Sequence, residues 1–171
     1  MTRQTYSLTH SFTILALLAT GIVTTSPALA EDGKVYPATM CQGSLVGSPP
    51  IIEYTGKSLR NKSTTNSAVV TCPIVKDSVF SVAGANEAYL RYCKGTSSGL
   101  NSSLYSYSAF GTSSYVNSKW DFGAAGCNKT LTHNPIASFA QGYYSMIVVM
   151  PPSAAGSGTK TELFSYRLDE T

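Results

Sequence analysis

Apolar and polar residues alternate along most of this chain in short runs with a period of two, and glycine, proline, serine and asparagine interrupt the runs. That period places successive side chains on opposite faces of an extended strand. Residues 35–41 open the series, and Pro37 marks an edge or a strand start. Residues 47–50 read as a turn and 51–54 as a short strand. Residues 60–67 are polar and turn-like, and 68–73 form a β-branched run stopped by Pro73. Ser78, Val79, Phe80, Ser81 and Val82 alternate as a half-buried strand should. Residues 88–93 follow, then a loop at 95–103 and another alternating run at 104–110. Residues 113–128 carry no clear pattern. The run 141–150 is the most apolar and ends at Pro151, and 162–168 places Phe164, Tyr166 and Leu168 on one face. No apolar pattern of helical period lasts three turns after residue 30. About eight short strands with regular turn signals predict an all-β fold. The expected architecture is a single antiparallel β-sandwich, jelly-roll or immunoglobulin-like.

The first 30 residues follow a different pattern. Arg3 leads into the apolar run 12–23, and Ala28 and Ala30 are the small residues a signal peptidase requires. Residues 1–30 are therefore expected to be a signal peptide, and residues 31–171 the β-sandwich domain. The apolar run is too short to cross a bilayer, which takes about 20 residues. The later run 146–150 reads as a strand, so no integral membrane segment is expected. The first cysteine, Cys41, lies well past the cleavage point, so no lipid-anchoring cysteine follows the signal. The expected location is exported, periplasmic or extracellular.

Export changes how the cysteines read. Cys41, Cys72, Cys93 and Cys127 make an even count in an oxidising compartment, which predicts two disulfides. Of the possible pairings, Cys41–Cys72 with Cys93–Cys127 suits a meandering sheet best. Each would close a loop worth on the order of 3–4 kcal/mol by chain entropy. The chain has no C-x-x-C, and His133 is the sole histidine after residue 30, so neither a metal nor another cofactor is expected.

Charge narrows the partners. Charged residues are 12% of the chain, about half of ordinary usage. The lysines and arginines are scattered, so nucleic acid has no footprint here. Serine, threonine, glycine and tyrosine fill the surface instead.

Three motifs, Tyr36-Pro37-Ala38-Thr39-Met40-Cys41, Cys72-Pro73 and Ser165-Tyr166-Arg167-Leu168-Asp169-Glu170, resemble those of small exported bacterial β-domain proteins with a Tyr-Pro-Ala-x-x-Cys opening and a Cys-Pro strand end. The resemblance implies a compact β-domain. It implies no activity, and no catalytic residue carries over from it.

Catalytic constellations are thin. Gly95-Thr96-Ser97-Ser98-Gly99 matches the nucleophile-elbow pattern, but that elbow needs a following helix and here a strand follows. Its base would have to be His133, in an apparent turn. Glu53, Asp77, Glu87, Asp121 and Glu162 sit in no recognisable glycosidase motif. Asn61, Asn101 and Asn128 head sequons and read as polar loops. The segment 97–122 is different. Tyr105, Tyr107, Tyr115 and Trp120 stand among serines and glycines, the composition of adaptable binding surfaces. Flat rings suit a sugar, so these four are the candidate ligand residues, with carbohydrate or protein as the partner. The expected function is a non-enzymatic binding or surface-interaction module. A pilin-like filament subunit is the first alternative. Gly158 stands where such subunits carry a glycine, but Glu170 replaces their penultimate tyrosine. A small secreted hydrolase is the second.

Overall fold

The strongest runs of β-branched and aromatic residues become the central strands. The computed structural model describes residues 33–43, 51–76, 84–156 and 158–170. The expected signal segment, the turn expected at 47–50 and the strand expected at 78–82 lie outside the described residues. The strands are β1 (Gly33–Pro37), β2 (Gln42–Gly43), β3 (Ile52–Tyr54), β4 (Leu59–Asn61), β5 (Ala68–Ile74), β6 (Ala85–Lys94), β7 (Leu100–Tyr107), β8 (Ser114–Asp121), β9 (Gly126–His133), β10 (Tyr143–Met150) and β11 (Thr161–Glu170). All pairings between them are antiparallel.

They form the two sheets of a β-sandwich. The first sheet runs β3-β4-β11-β6-β9, with β1 also pairing β11; the second runs β2-β5-β10-β7-β8. β11 is flanked on both sides, by β6 along one and by β4 and β1 along the other.

The inner faces meet in one apolar core. From the second sheet come Val70, Cys72, Leu104, Met146 and Val148; from the first come Leu90, Tyr92, Leu163, Tyr166 and Leu168. Tyr166 stacks on Tyr36 with ring centroids 5.1 Å apart, and its hydroxyl donates to the Pro73 carbonyl of the opposite sheet at 2.7 Å. Buried phenols need such partners, and this one ties the layers together. A bulge at Phe164 changes the expected face of the last strand. The pairing register shifts between Leu163 and Ser165, so Leu163 joins Tyr166 and Leu168 in the core and Phe164 does not.

Both disulfides form as expected, Cys41–Cys72 and Cys93–Cys127. The first links the start of the second sheet to β5; the second joins β6 to β9 within the first sheet.

Other expectations need correction. Residues 113–128, where no pattern was visible, hold β8 and the start of β9. The loop expected at 95–103 ends early, because β7 begins at Leu100. The sequon asparagines are not loop residues, although Lys62 and Ser63 of the first sequon lie past the end of β4. Asn61, Asn101 and Asn128 all sit in strands, and the buried Asn61 amide donates to the Met150 and Pro151 carbonyls at 3.3 and 3.0 Å.

Candidate functional site

Two outward positions on β7 decide the site. Leu100, Ser102, Leu104 and Ser106 face the core, which puts Asn101, Ser103, Tyr105 and Tyr107 on the outer face, the first two buried there and the two tyrosines half-buried. Tyr107 pairs with Tyr143 of β10, and Tyr105 pairs with Val116 of β8. The three tyrosines stack in a ladder, Tyr105 on Tyr107 at 5.3 Å and Tyr107 on Tyr143 at 5.1 Å. Such offset contacts each contribute about 0.5–1.5 kcal/mol beyond burial. Burial, with the charge of any phenolate at Tyr105 and Tyr143 adding to it, raises the Tyr107 phenol above its ordinary pKa, so it stays a neutral donor.

Trp120 sits on the same face, opposite Asn101. It stacks flat on Phe122, with centroids 5.3 Å apart and planes 4° from parallel, and both rings are more than half exposed. Gly99 makes room for them. A Cβ there would stand 2.7 Å from the Phe122 ring and 3.2 Å from Trp120. Four residues of β7 separate the Trp120 and Tyr105 levels, about 13 Å at the rise of a strand. Between them lie Ser103 and Ser118, joined at 2.8 Å, and level with Trp120 the Asn101 amide donates to the Lys119 carbonyl at 3.1 Å.

The rest of this face continues onto β10 and β5 with Ser145, Ile147 and Val149, then Val69, Thr71 and Pro73. No charged side chain occupies an outward position on β5, β10, β7 or β8. The face is an uncharged platform with aromatic rings at both ends.

The structure thus brings Tyr105, Tyr107 and Trp120 onto one face. Tyr115 leaves the set. It pairs with Ser106, so it points to the opposite side of β8 and stacks on Phe139 at 4.8 Å. Two further rings belong to the platform, Phe122 and Tyr143. Tyr143 comes from a strand distant in sequence, and its only local signal is the alternation that buries its neighbour Tyr144.

Behind Trp120, Asp121 turns inward and holds the β8–β9 connection. It accepts from the Tyr92 hydroxyl at 2.6 Å, the Gly123 N–H at 2.7 Å and the Lys129 ammonium at 3.1 Å. Lys94, fully buried, donates to the Asp121 carbonyl at 2.8 Å and lies 3.4 Å from its carboxylate. Burial alone would raise the Asp121 carboxyl. The hydrogen bonds and the Lys94 charge outweigh it and hold the group well below the carboxylate range.

The residues of a hydrolase do not converge. Ser97 lies exposed in the β6–β7 connection, beyond Lys94. His133 is not in a turn but ends β9 opposite Ala88, six residues from Lys94 along β6, or about 20 Å. It is buried, with Nε2 at 2.9 Å from Ser102 Oγ and Nδ1 at 3.2 Å from Asn117 Oδ1. Among the candidate carboxylates, Glu53 and Glu162 flank Arg60, and Glu87 accepts from Tyr89. Asp77 lies outside the described residues. Among the described residues no group of histidines, cysteines and carboxylates could hold a metal ion.

No family model matches the chain, and no curated protein matches it. Solved structures do. A low-affinity xylan-binding module, CBM86, from Roseburia intestinalis is 13% identical; the match covers 81% of this chain and 96% of that module, with a TM-score of 0.50. A CBM36-1 domain of a xylanase from the hindgut metagenome of Trinervitermes trinervoides is 12% identical over 82% of this chain and 98% of its own, with a TM-score of 0.44. An exo-β-1,3-galactanase from Phanerochaete chrysosporium is 18% identical over 80% of this chain, with a TM-score of 0.44. This chain spans 29% of the galactanase. At these identities the likeness is one of fold, a β-sandwich.

Proposed function

We propose that the outer face of the second sheet binds a neutral polysaccharide. The observation that carries this is the uncharged face itself, with Trp120 and Phe122 at one end and the Tyr105, Tyr107 and Tyr143 ladder at the other. A sugar ring has an apolar C–H side and a rim of hydroxyls. Exposed rings take the first, and the exposed hydroxyls of Ser118 and Thr71 offer partners for the second. An anionic chain would find no cation here. The sandwich shared with the CBM86 module, whose ligand is xylan, is compatible with this reading.

The protein acts in this reading as a non-enzymatic module, exported by its first 30 residues. N-terminal sequencing of the exported protein should begin at Glu31, and an intact Met1 would remove the export argument. A glycan array probed with residues 31–171, followed by calorimetry, tests the binding. Binding to neutral polysaccharides that is lost in Trp120→Ala is expected. Silence across neutral glycans, or equal binding by the variant, overturns the proposal.

A protein partner is the second reading. Val116 and Val69, 54% and 38% exposed on the same face, favour it. The filament-subunit reading has less support, because the last described strand, β11, is itself inside its sheet and paired on both sides.

A further inference from the structure

The opposite side of the molecule is chemically different. The outer face of the first sheet carries a groove of about 310 Å3 lined by Val35, Tyr89, Arg91, Thr130, Ser165 and Arg167. That volume is at the lower end for a small-ligand site, about 300–1,000 Å3. Its centre is a diagonal pair of arginines. Tyr89 pairs with Arg167, and Arg91 pairs with both Ser165 and Thr130. Diagonal neighbours of this kind stand about 7–8 Å apart.

Arg167 is held in place. Its Nε donates to Asp169 Oδ1 at 2.6 Å, and its guanidinium carbon lies 5.9 Å from the centre of the Tyr89 ring. Gly33 lets it lie there, since a Cβ at that position would collide with both the Arg167 guanidinium and the Asp169 carboxylate. An arginine has five N–H donors, and Asp169 takes one from Arg167. The Arg91 side chain makes no hydrogen bond or ion pair among the described residues. Two guanidinium groups lining one groove, one of them with no side-chain partner among the described residues, favour an anion there.

We infer that this groove is a second ligand site, specific for a sugar unit bearing a carboxylate, a glycuronate. The carboxylate would sit between Arg91 and Arg167, where guanidinium geometry matches it. The hydroxyls of Thr130 and Ser165 are placed for the ring hydroxyls, and exposed Val35 for the C–H side. A peptide carboxylate fits less well. The strands under the groove, β6 and β11, are central, so their backbone groups are taken up in pairing and cannot read a peptide main chain. The site is independent of the neutral platform on the other sheet.

Nitrogen–proton NMR of residues 31–171 tests this, with trigalacturonate, the same trimer carboxyl-reduced to neutral galactose, and acetate as probes. Trigalacturonate should shift the Arg91, Thr130 and Arg167 resonances, and the other two should leave them in place at equal concentration. Arg91→Gln, a change at an exposed position, should weaken trigalacturonate at least tenfold with an unchanged melting temperature. Arg167→Lys keeps the charge and loses the fork, and should also weaken it. Trp120→Ala should bind trigalacturonate as the parent does, which separates this site from the platform. Equal shifts with acetate would reduce the groove to a bare anion site, and equal shifts with the neutral trimer would remove the role of the carboxylate. Loss of trigalacturonate in Trp120→Ala would place its binding on the platform. Each of these results overturns the inference.

Discussion

His133 accepts a hydrogen bond from Ser102 inside the sandwich, across 2.9 Å between the two sheets. The direction follows from the other ring nitrogen. Asn117 Oδ1 already accepts from the Asn134 N–H at 3.3 Å, so it acts as an acceptor toward His133 as well. Nδ1 therefore carries the proton, and Nε2 is left to accept from the serine. Burial pushes the imidazole down to about 4 from 6.5; the hydrogen bond with Asn117 opposes this, and Lys119 adds to it.

Stability should therefore fall on acidification. Below pH 6.5 the unfolded chain protonates His133 while the folded chain does not, until about pH 4. The folded state loses up to about 3 kcal/mol across that window and nothing further from this group below it. Urea midpoints measured at pH 7 and pH 4.5 check this, and in His133→Gln the difference should shrink.

Asp121 adds a second, lower step. Its carboxyl is held below its ordinary value, so its contribution is present above pH 3.8 and is lost as the pH drops further. Asp121→Asn would leave the buried Lys94 ammonium without its countercharge. Stranding a buried charge costs about 3–5 kcal/mol. Thermal melts should show a large loss for Asp121→Asn, and Lys94→Met with Asp121→Asn together should recover part of it.

On the platform, Tyr107→Ala should weaken the polysaccharide at least tenfold. A stacked ring contributes roughly 1–3 kcal/mol by analogy with base–aromatic stacking. Tyr107 is outside the core, so the domain should stay folded, with a melting temperature lowered only by the loss of its two stacking contacts. Tyr115→Ala serves as the control, since its ring faces the other way, and calorimetry should find its affinity unchanged.

Reduction should matter more than any surface change. The two disulfides close separations of 31 and 34 residues. Each stabilises by on the order of 3–4 kcal/mol in the chain-entropy picture. Cys41→Ala with Cys72→Ala should lower the urea midpoint strongly, and removing both bridges should unfold the domain near 37 °C.

The sequence showed some of this and hid the rest for identifiable reasons. β5 and β10 were visible because Val69, Val70, Ile147, Val148 and Val149 are dense β-branched runs. β8 and β9 were not, because they are edge strands with polar residues on both faces, such as Ser118, Lys119, Asn128 and Lys129. On β7 the alternation is inverted. Ser102 and Ser106 face inward and Tyr105 and Tyr107 outward, so the core side could not be assigned from polarity. Tyr115 entered the candidate set by nearness in sequence, and a one-residue change of parity put it on the wrong side. His133 looked like a turn residue because Asn134-Pro135 follows it. Its burial depends on Ser102, which is 31 residues away.

The position of β11 bears on when this protein can fold. It is the last strand of the described chain, and it lies between β6 on one side and β4 and β1 on the other. Until it emerges, β1, β4 and β6 lack the partner that joins them, so the first sheet cannot assemble as the chain is made. Contacts this far apart in sequence slow folding. If the first 30 residues export the chain as an extended polypeptide, as proposed above, late closure would suit that route, because this sheet would stay open until β11 had crossed.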